Sequence, residues 1–206
     1  MKRAIARLIE NLGDNDHHIR FAAARTLGDI GSDTPLVTDS LIHTLKDTIW
    51  FVRLSALQSL RDLKLKPAVV IEHVVPLLKD DHEDVREYAA LTIADLGPKA
   101  SPAAPFLADL LLDPVWYVRG TAAWVLGQIG PGAREQYGNL VSCLSDNELE
   151  VRIAAVKTLG KIGWSSDTEI RDILVEVSRD HNQPPEVKEE AEEALQGMDN
   201  SMENMK

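Results

Sequence analysis

The chain has 206 residues, 44% of them hydrophobic and 5% aromatic, and a net charge of −11. That composition is ordinary for a folded protein, and an acidic balance without a basic run disfavours generic nucleic-acid binding. A single cysteine, Cys143, excludes an internal disulfide framework, and no stretch approaches the ~18 apolar residues that span a bilayer. The opening MKRAIARLIENLG has charges at both ends of a short, interrupted apolar pattern, so it does not read as a signal peptide. The expectation is a soluble, cytoplasmic protein without a membrane partner.

The first predicted helix carries Leu8, Ile9 and Leu12, the i, i+1, i+4 stripe of a half-buried helix. Asp14 follows and reads as the N-cap of a second helix, its carboxylate accepting from the first free N–H groups. That second helix places Ile19, Ala23, Leu27 and Ile30 on one side, carries Arg20 after Ile19, and stops at Gly31. The succession then returns 33 residues later with Leu41, Ile42, Leu45, Asp47, Val52, Arg53, Ala56, Leu60 and Leu63. Here the exit reads DLKLKP, with Arg61 and Lys64 where glycine is expected, which predicts a longer or distorted helix end.

The third copy has Val74, Val75, Leu78, Asp80, Val85, Arg86, Ala89, Ile93 and Leu96 before Gly97, and Pro76 predicts a kink in its first helix. The fourth runs through Leu107, Leu111, Asp113, Val118, Arg119, Ala122, Leu126 and Ile129 to Gly130, with Pro114 at a first helical position. The fifth runs through Leu140, Val141, Leu144, Asp146, Val151, Arg152, Ala155, Leu159 and Ile162 to Gly163. A degenerate sixth keeps Val187, Ala191 and Leu195, but has Lys188 for arginine, 36 residues after Arg152. Its helix opens at Pro184-Pro185 and is dense in glutamate, as a polar terminal cap should be. Residues 166–206 hold four basic and twelve acidic residues, and 197–206 read as a flexible tail.

A fixed 33-residue period of helix pairs is the signature of a solenoid, in which each unit packs only on its neighbours. The string Asp-x5-[Val/Ile]-Arg-x2-Ala-x3-[Leu/Ile]-Gly-x-[Ile/Leu]-Gly, seen most fully in DNDHHIRFAAARTLGDIG and DPVWYVRGTAAWVLGQIG, resembles HEAT repeats of the short type found in phycobilisome-lyase-like proteins. The resemblance covers residues 1–196 and implies an all-α, right-handed α-solenoid of about six stacked antiparallel hairpins. It also implies that Asp14, Arg20, Asp47, Arg53, Asp80, Arg86, Asp113, Arg119, Asp146 and Arg152 are structural, tying the turns of adjacent repeats together through charge-assisted hydrogen bonds.

Function is therefore sought where the copies differ. In related solenoids the second helix lines the concave surface, and positions −2, +1 and +5 from each arginine point away from the buried stripe. They hold His18, Phe21 and Arg25, then Phe51 and Leu54, then Asp84, Glu87 and Leu91, then Tyr117, Gly120 and Trp124, with Ile153 in the fifth copy. Trp50 and Trp116 flank them at −3. A solvated helix face should be polar, and exposed aromatic clusters mark interfaces. Gly120 opens a gap between Tyr117 and Trp124, and Glu83, Asp84 and Glu87 add an acidic stretch. The expectation is a non-catalytic scaffold that binds a peptide or protein segment with apolar anchors and basic residues, as a monomer or weak homo-oligomer.

Enzymatic readings trail. The resemblance brings in bilin lyases, for which His17, His18, Asp84 or Glu87 could contact a tetrapyrrole, and this is the alternative. Metal hydroxylases with such repeats use recurring His-Glu pairs, but His82-Glu83 occurs once, and DNA glycosylases need a more basic face than Arg25 and Lys157 supply. No cofactor, metal site or catalytic residue is expected, and Cys143 reads as a packing residue.

Overall fold

A computed structural model of the chain describes residues 2–31, 34–63, 66–163 and 167–203. It is all-α, with no strand among the described residues, and divides into two compact units, Met1–Thr92 and Ile93–Lys206. The N-terminal unit contains α1 (Lys2–Asn11), α2 (His17–Ile30), α3 (Pro35–Thr44), α4 (Trp50–Asp62) and α5 (Pro67–Val74), and the helix α6 (Glu83–Ala94) begins in it. The C-terminal unit contains α7 (Ala104–Asp109), α8 (Trp116–Ile129), α9 (Tyr137–Ser142), α10 (Leu149–Ile162), α11 (Thr168–Arg179) and α12 (Pro185–Glu203).

Each unit is a stack of antiparallel helix pairs. Pro35 and Pro67 open α3 and α5, where a missing N–H costs nothing. At Pro76, where a kink was expected, α5 ends at Val74 and the chain continues as a 3-10 helix over Val75–Lys79; the first helices of the next two repeats also end in 3-10 turns, at Leu110–Leu112 and Cys143–Ser145, without a proline. The repeated alanines Ala23, Ala56, Ala89, Ala122 and Ala155 are all buried, as are Val52, Val85, Val118 and Val151 before the arginines. Ile19 is the exception at 38% exposed, and α1 buries no residue fully.

Second helices approach one another closely where the residue eight past the arginine is glycine, at Gly28, Gly127 and Gly160. A Cβ on Gly28 would lie 2.4 Å from the Ser59 hydroxyl and 2.9 Å from its Cα, and one on Gly160 would lie 2.7 Å from the Ala194 Cβ. Hydroxyls stitch the same contacts: Ser59 donates to the Ala24 carbonyl (2.9 Å) and Thr158 to that of Ala123 (2.7 Å). Helix exits divide. Gly31 takes the left-handed conformation at φ 64° and donates back to Gly28, whereas Gly163 ends α10 in extended backbone at φ −71°. The Arg61 exit keeps α4 helical to Asp62, and Lys64 and Leu65 lie outside the described residues.

The aspartates are not helix N-caps. Each stands three residues before its helix, and its carboxylate accepts from the N–H two residues on: Asp16 on Asp14 (2.8 Å), Ile49 on Asp47 (2.9 Å), His82 on Asp80 (3.0 Å), Val115 on Asp113 (2.9 Å) and Glu148 on Asp146 (2.9 Å). This is an Asx-turn, which folds the loop ahead of the helix. The capping positions are instead Asp16, Ile49, Val115 and Glu148, of which only Asp16 caps with its side chain.

The arginines bind two turns at once. In its own repeat the Arg Nη1 donates to the aspartate's backbone carbonyl, as Arg20 does to Asp14 (2.9 Å) and Arg53 to Asp47 (2.8 Å). Its other edge grips the next aspartate 27 residues on: Arg20 Nε to Asp47 (2.6 Å), Arg53 Nε to Asp80 (2.7 Å) and Arg119 Nε to Asp146 (2.7 Å). Burial acts to raise the Asp47 and Asp80 carboxyl pKa values, but the arginine and turn hydrogen bonds outweigh it and hold both below the ordinary 3.8. At Asp146 the bond from Arg119 is the chief cause of the same lowering.

Arg152 breaks the pattern. It donates to the Asp146 carbonyl (2.5 Å), but its buried Nε has no hydrogen-bond partner among the described residues. Asp180 takes the sixth aspartate's place and makes the Asx-turn to Asn182 (2.8 Å), yet the longer spacing leaves its carboxylate out of Arg152's grip. Gln183 instead reaches across to the Leu144 carbonyl (2.9 Å).

The expected tail at 197–206 is corrected in part. Helix α12 continues to Glu203, because Met198 is buried at 2% exposure and Asp199 pairs with Arg171 (2.6 Å). Residues 204–206 lie outside the described residues.

Cys143 is 4% exposed, and burial, with Asp146 nearby, pushes its thiol up to about 11 from 9.0. The thiolate is the reactive form, so labelling by a thiol reagent at pH 8 is expected to run about 100-fold slower in the native protein than in denaturant. Equal rates would show that this turn opens freely.

Candidate functional site

None of the fourteen residues expected on the second-helix face is buried. In the N-terminal unit they form an aromatic cluster that packs largely on itself. The Phe51 ring meets His17 (5.5 Å), His18 (6.1 Å), Phe21 (5.8 Å) and Trp50 (5.6 Å). Trp50 in turn stacks on His82 at 3.7 Å with the planes 10° apart. These rings come from neighbouring second helices and the turn before α6, so much of their apolar surface is spent on joining repeats. Leu54, Asp84, Glu87 and Leu91 are half-buried, and His18 and Arg25 are exposed.

Past the rings, the same unit has a polar hollow of about 420 Å³ lined by Arg25, Asp29, Gln58, Arg61, Asp62 and Tyr88. The sequence reading stopped at +5 and so missed Asp29 and Asp62, one turn further at +9. The period of the helix, continued through +1, +5 and +9, would have found them. His82 was considered only as half of a His-Glu pair, and its stacking on Trp50 depends on the turn geometry.

Among the described residues, one group could gather metal-ligand atoms within 4.8 Å, namely Asp16, His17 and His18 at the start of α2. One Asp16 oxygen is engaged in capping the helix through the His18 N–H (2.8 Å), and both imidazoles pack on Phe51.

The C-terminal unit presents its residues differently. Trp116 and Trp124 on α8 are each 44% exposed, and Tyr117, Gly120 and Ile153 are half-buried. Trp116 meets Tyr117 edge-on (5.9 Å, 87°), and the Trp124 ring stacks on no other among the described residues. A Cβ on Gly120 would meet only Val151 Cγ2, at an ordinary 3.8 Å, so the space above this glycine is open. Lys157 on the neighbouring α10 is held by Glu190 at 3.0 Å, while Glu148 and Glu150 are exposed. Sequence reasoning did not anticipate Leu112, at 82% exposed, or Phe106, at 44%. Both lie outside the second helices.

The family model for HEAT repeats matches residues 1–61, 71–136 and 107–196. The chain belongs to the HEAT-repeat family. The match singles out no lyase-like subtype. Among solved structures, this HEAT-repeat chain is similar to the archaeal HEAT-like repeats protein from Thermococcus onnurineus, at 17% identity and a TM-score of 0.65, over 98% of this chain and 89% of that one. It is similar to the Escherichia coli protein YibA at 22% identity and TM-score 0.69, over 100% and 76%. An engineered protein gives 21% identity and TM-score 0.71, over 96% and 97%. At these identities the likeness establishes the fold alone. No curated protein matches the chain. No helix among the described residues is long and apolar enough to cross a membrane.

Proposed function

We propose that this HEAT-repeat protein is a non-catalytic interaction scaffold that holds a peptide or protein segment on its second-helix faces, with Trp116, Tyr117 and Trp124 as the principal anchors. The observation that carries this reading is the 44% exposure of two tryptophans on one helix. Leaving large apolar rings in water contributes nothing to folding, and tryptophan and tyrosine are the residues that most often dominate interface energetics. The contrast with the N-terminal unit supports it, since there the rings at equivalent positions are turned against each other. Within the same unit as the tryptophans, exposed Glu148 and Glu150 would favour a partner carrying basic residues.

The triple variant Trp116→Ala, Tyr117→Ala, Trp124→Ala is expected to keep its circular-dichroism melt within a few degrees of wild type. Partner capture from a lysate of the source cells should fall at least tenfold, as losing a hot spot worth about 2 kcal/mol or more requires. A collapsed melt would instead assign the three rings to the core.

A further inference from the structure

The exposed strip of α8 also carries information about what shape of segment it would hold, and this inference rests on the scaffold reading above. We infer that the strip is built for a proline-rich segment in the polyproline II conformation, with a basic residue at the end that lies over Tyr117.

Tyr117 and Trp124 are seven residues apart on α8. Two helical turns set them about 10.5 Å apart along the axis and within about 20° of the same line. A polyproline II helix repeats every three residues, or about 9.3 Å. Prolines at i and i+3 therefore fall on these two rings in succession. Gly120 stands between the rings and carries no side chain, and a Cβ there would meet Val151 Cγ2 only at an ordinary 3.8 Å, so the intervening residues of the ligand pass over a low floor. Trp116, perpendicular to Tyr117, closes the far end as a wall.

Among the described residues there is no sheet edge to accept an added strand, whereas a polyproline II segment docks against aromatic side chains. Its backbone carbonyls are unpaired and take hydrogen bonds from outside donors, and neither the Trp116 nor the Trp124 indole N–H donates to any described residue. Each is a donor with no acceptor function, poised beside a ring face on which proline can rest.

The charge pattern gives the segment a direction. Exposed Glu148 and Glu150 at the start of α10 flank the Trp116 and Tyr117 end. Toward the other end of α10, Lys157 is paired with Glu190 and Lys161 follows one turn on, so positive charge gathers there. A ligand arginine or lysine is thus complemented at the first end and has no counterpart at the second.

The test uses the full chain and a synthetic peptide of about twelve residues that contains Pro-x-x-Pro with an arginine beyond one proline. Tryptophan emission should shift saturably on titration. A peptide of the same length with the prolines replaced by alanine should bind at least tenfold more weakly. Gly120→Leu, which fills the floor, and Trp124→Ala, which removes one platform, should each weaken the proline peptide at least tenfold, while Leu36→Ala on the exposed side of α3 leaves it unchanged. Equal binding of the proline and alanine peptides overturns the inference.

A random twelve-residue display library, selected on wild type and counter-selected on Trp124→Ala, separates the two readings. Enriched sequences carrying paired prolines support both. Enriched sequences without them overturn the polyproline inference and leave the scaffold reading standing. The absence of any Trp124-dependent binder sinks both.

Discussion

Arg53→Leu is expected to lower the unfolding free energy by about 3 kcal/mol, the low end of what removing one member of a buried ion pair costs. Arg53 and Asp80 have side chains only 9% and 6% exposed. The substitution leaves the Asp80 carboxylate desolvated and without its arginine, though still accepting from the His82 N–H, and frees the Asp47 carbonyl. Arg152→Leu serves as the control. Its guanidinium grips no carboxylate, so its loss should cost only about 1 kcal/mol, the worth of its hydrogen bonds to the Asp146 and Asn147 carbonyls.

Acidity adds a second readout. Because the folded Asp80 value lies below 3.8, the pair's stabilisation is complete above the unfolded value and is lost as pH falls through the folded one. The deficit of Arg53→Leu should therefore narrow as pH drops below 3.8, since a protonated Asp80 no longer needs its arginine. Denaturant melts at several pH values measure this directly. A deficit that stays constant into acid would show that Arg53 acts through packing rather than charge.

Gly28→Val should be comparably damaging, at about 3 kcal/mol, for a reason that involves no charge. The added Cβ would stand 2.9 Å from the Ser59 Cα, and backbone does not yield as a flexible side-chain tip can. The α2–α4 contact must widen, which breaks the Ser59 bond to Ala24 and loosens the buried Leu27 and Leu57. Gly120→Ala separates this steric cost from any effect of removing a helical glycine. Its Cβ makes only an ordinary contact, so the variant should gain up to about 1 kcal/mol from helix propensity. If Gly28→Ala also gained stability, the close packing of α2 on α4 would be looser than described.

How much of this was legible beforehand differs by level. The helix pairs could be read from the arginine register because Arg20, Arg53 and Arg119 each meet an aspartate 27 residues on, and that requirement leaves a fixed spacing in the sequence. The role of Asp47 and its equivalents in the turn could not, since an Asx-turn and an N-cap differ by three residues and draw on the same side chain.

The second-helix face was legible only as a set of positions. Which rings would turn inward, as Phe51 does against Phe21, and which outward, as Trp124 does, depends on what the neighbouring helix offers. Phe51 faces His17 and His18 on α2, whereas Gly120 on its own helix leaves Trp124 bare. The last helix was misjudged because a stretch of polar residues hid one buried methionine, Met198, and one ion-paired aspartate, Asp199.

In each intact rung the same carboxylate both folds its own loop and receives the preceding arginine. Two distances along the chain, one of two residues and one of 27, are thereby locked to a single pair of oxygen atoms. A chain built this way can change its surface composition freely, but it has little freedom to gain or lose single residues between rungs. Insertions are permitted where the clasp is already undone, and the turn around Asp180 is one such place.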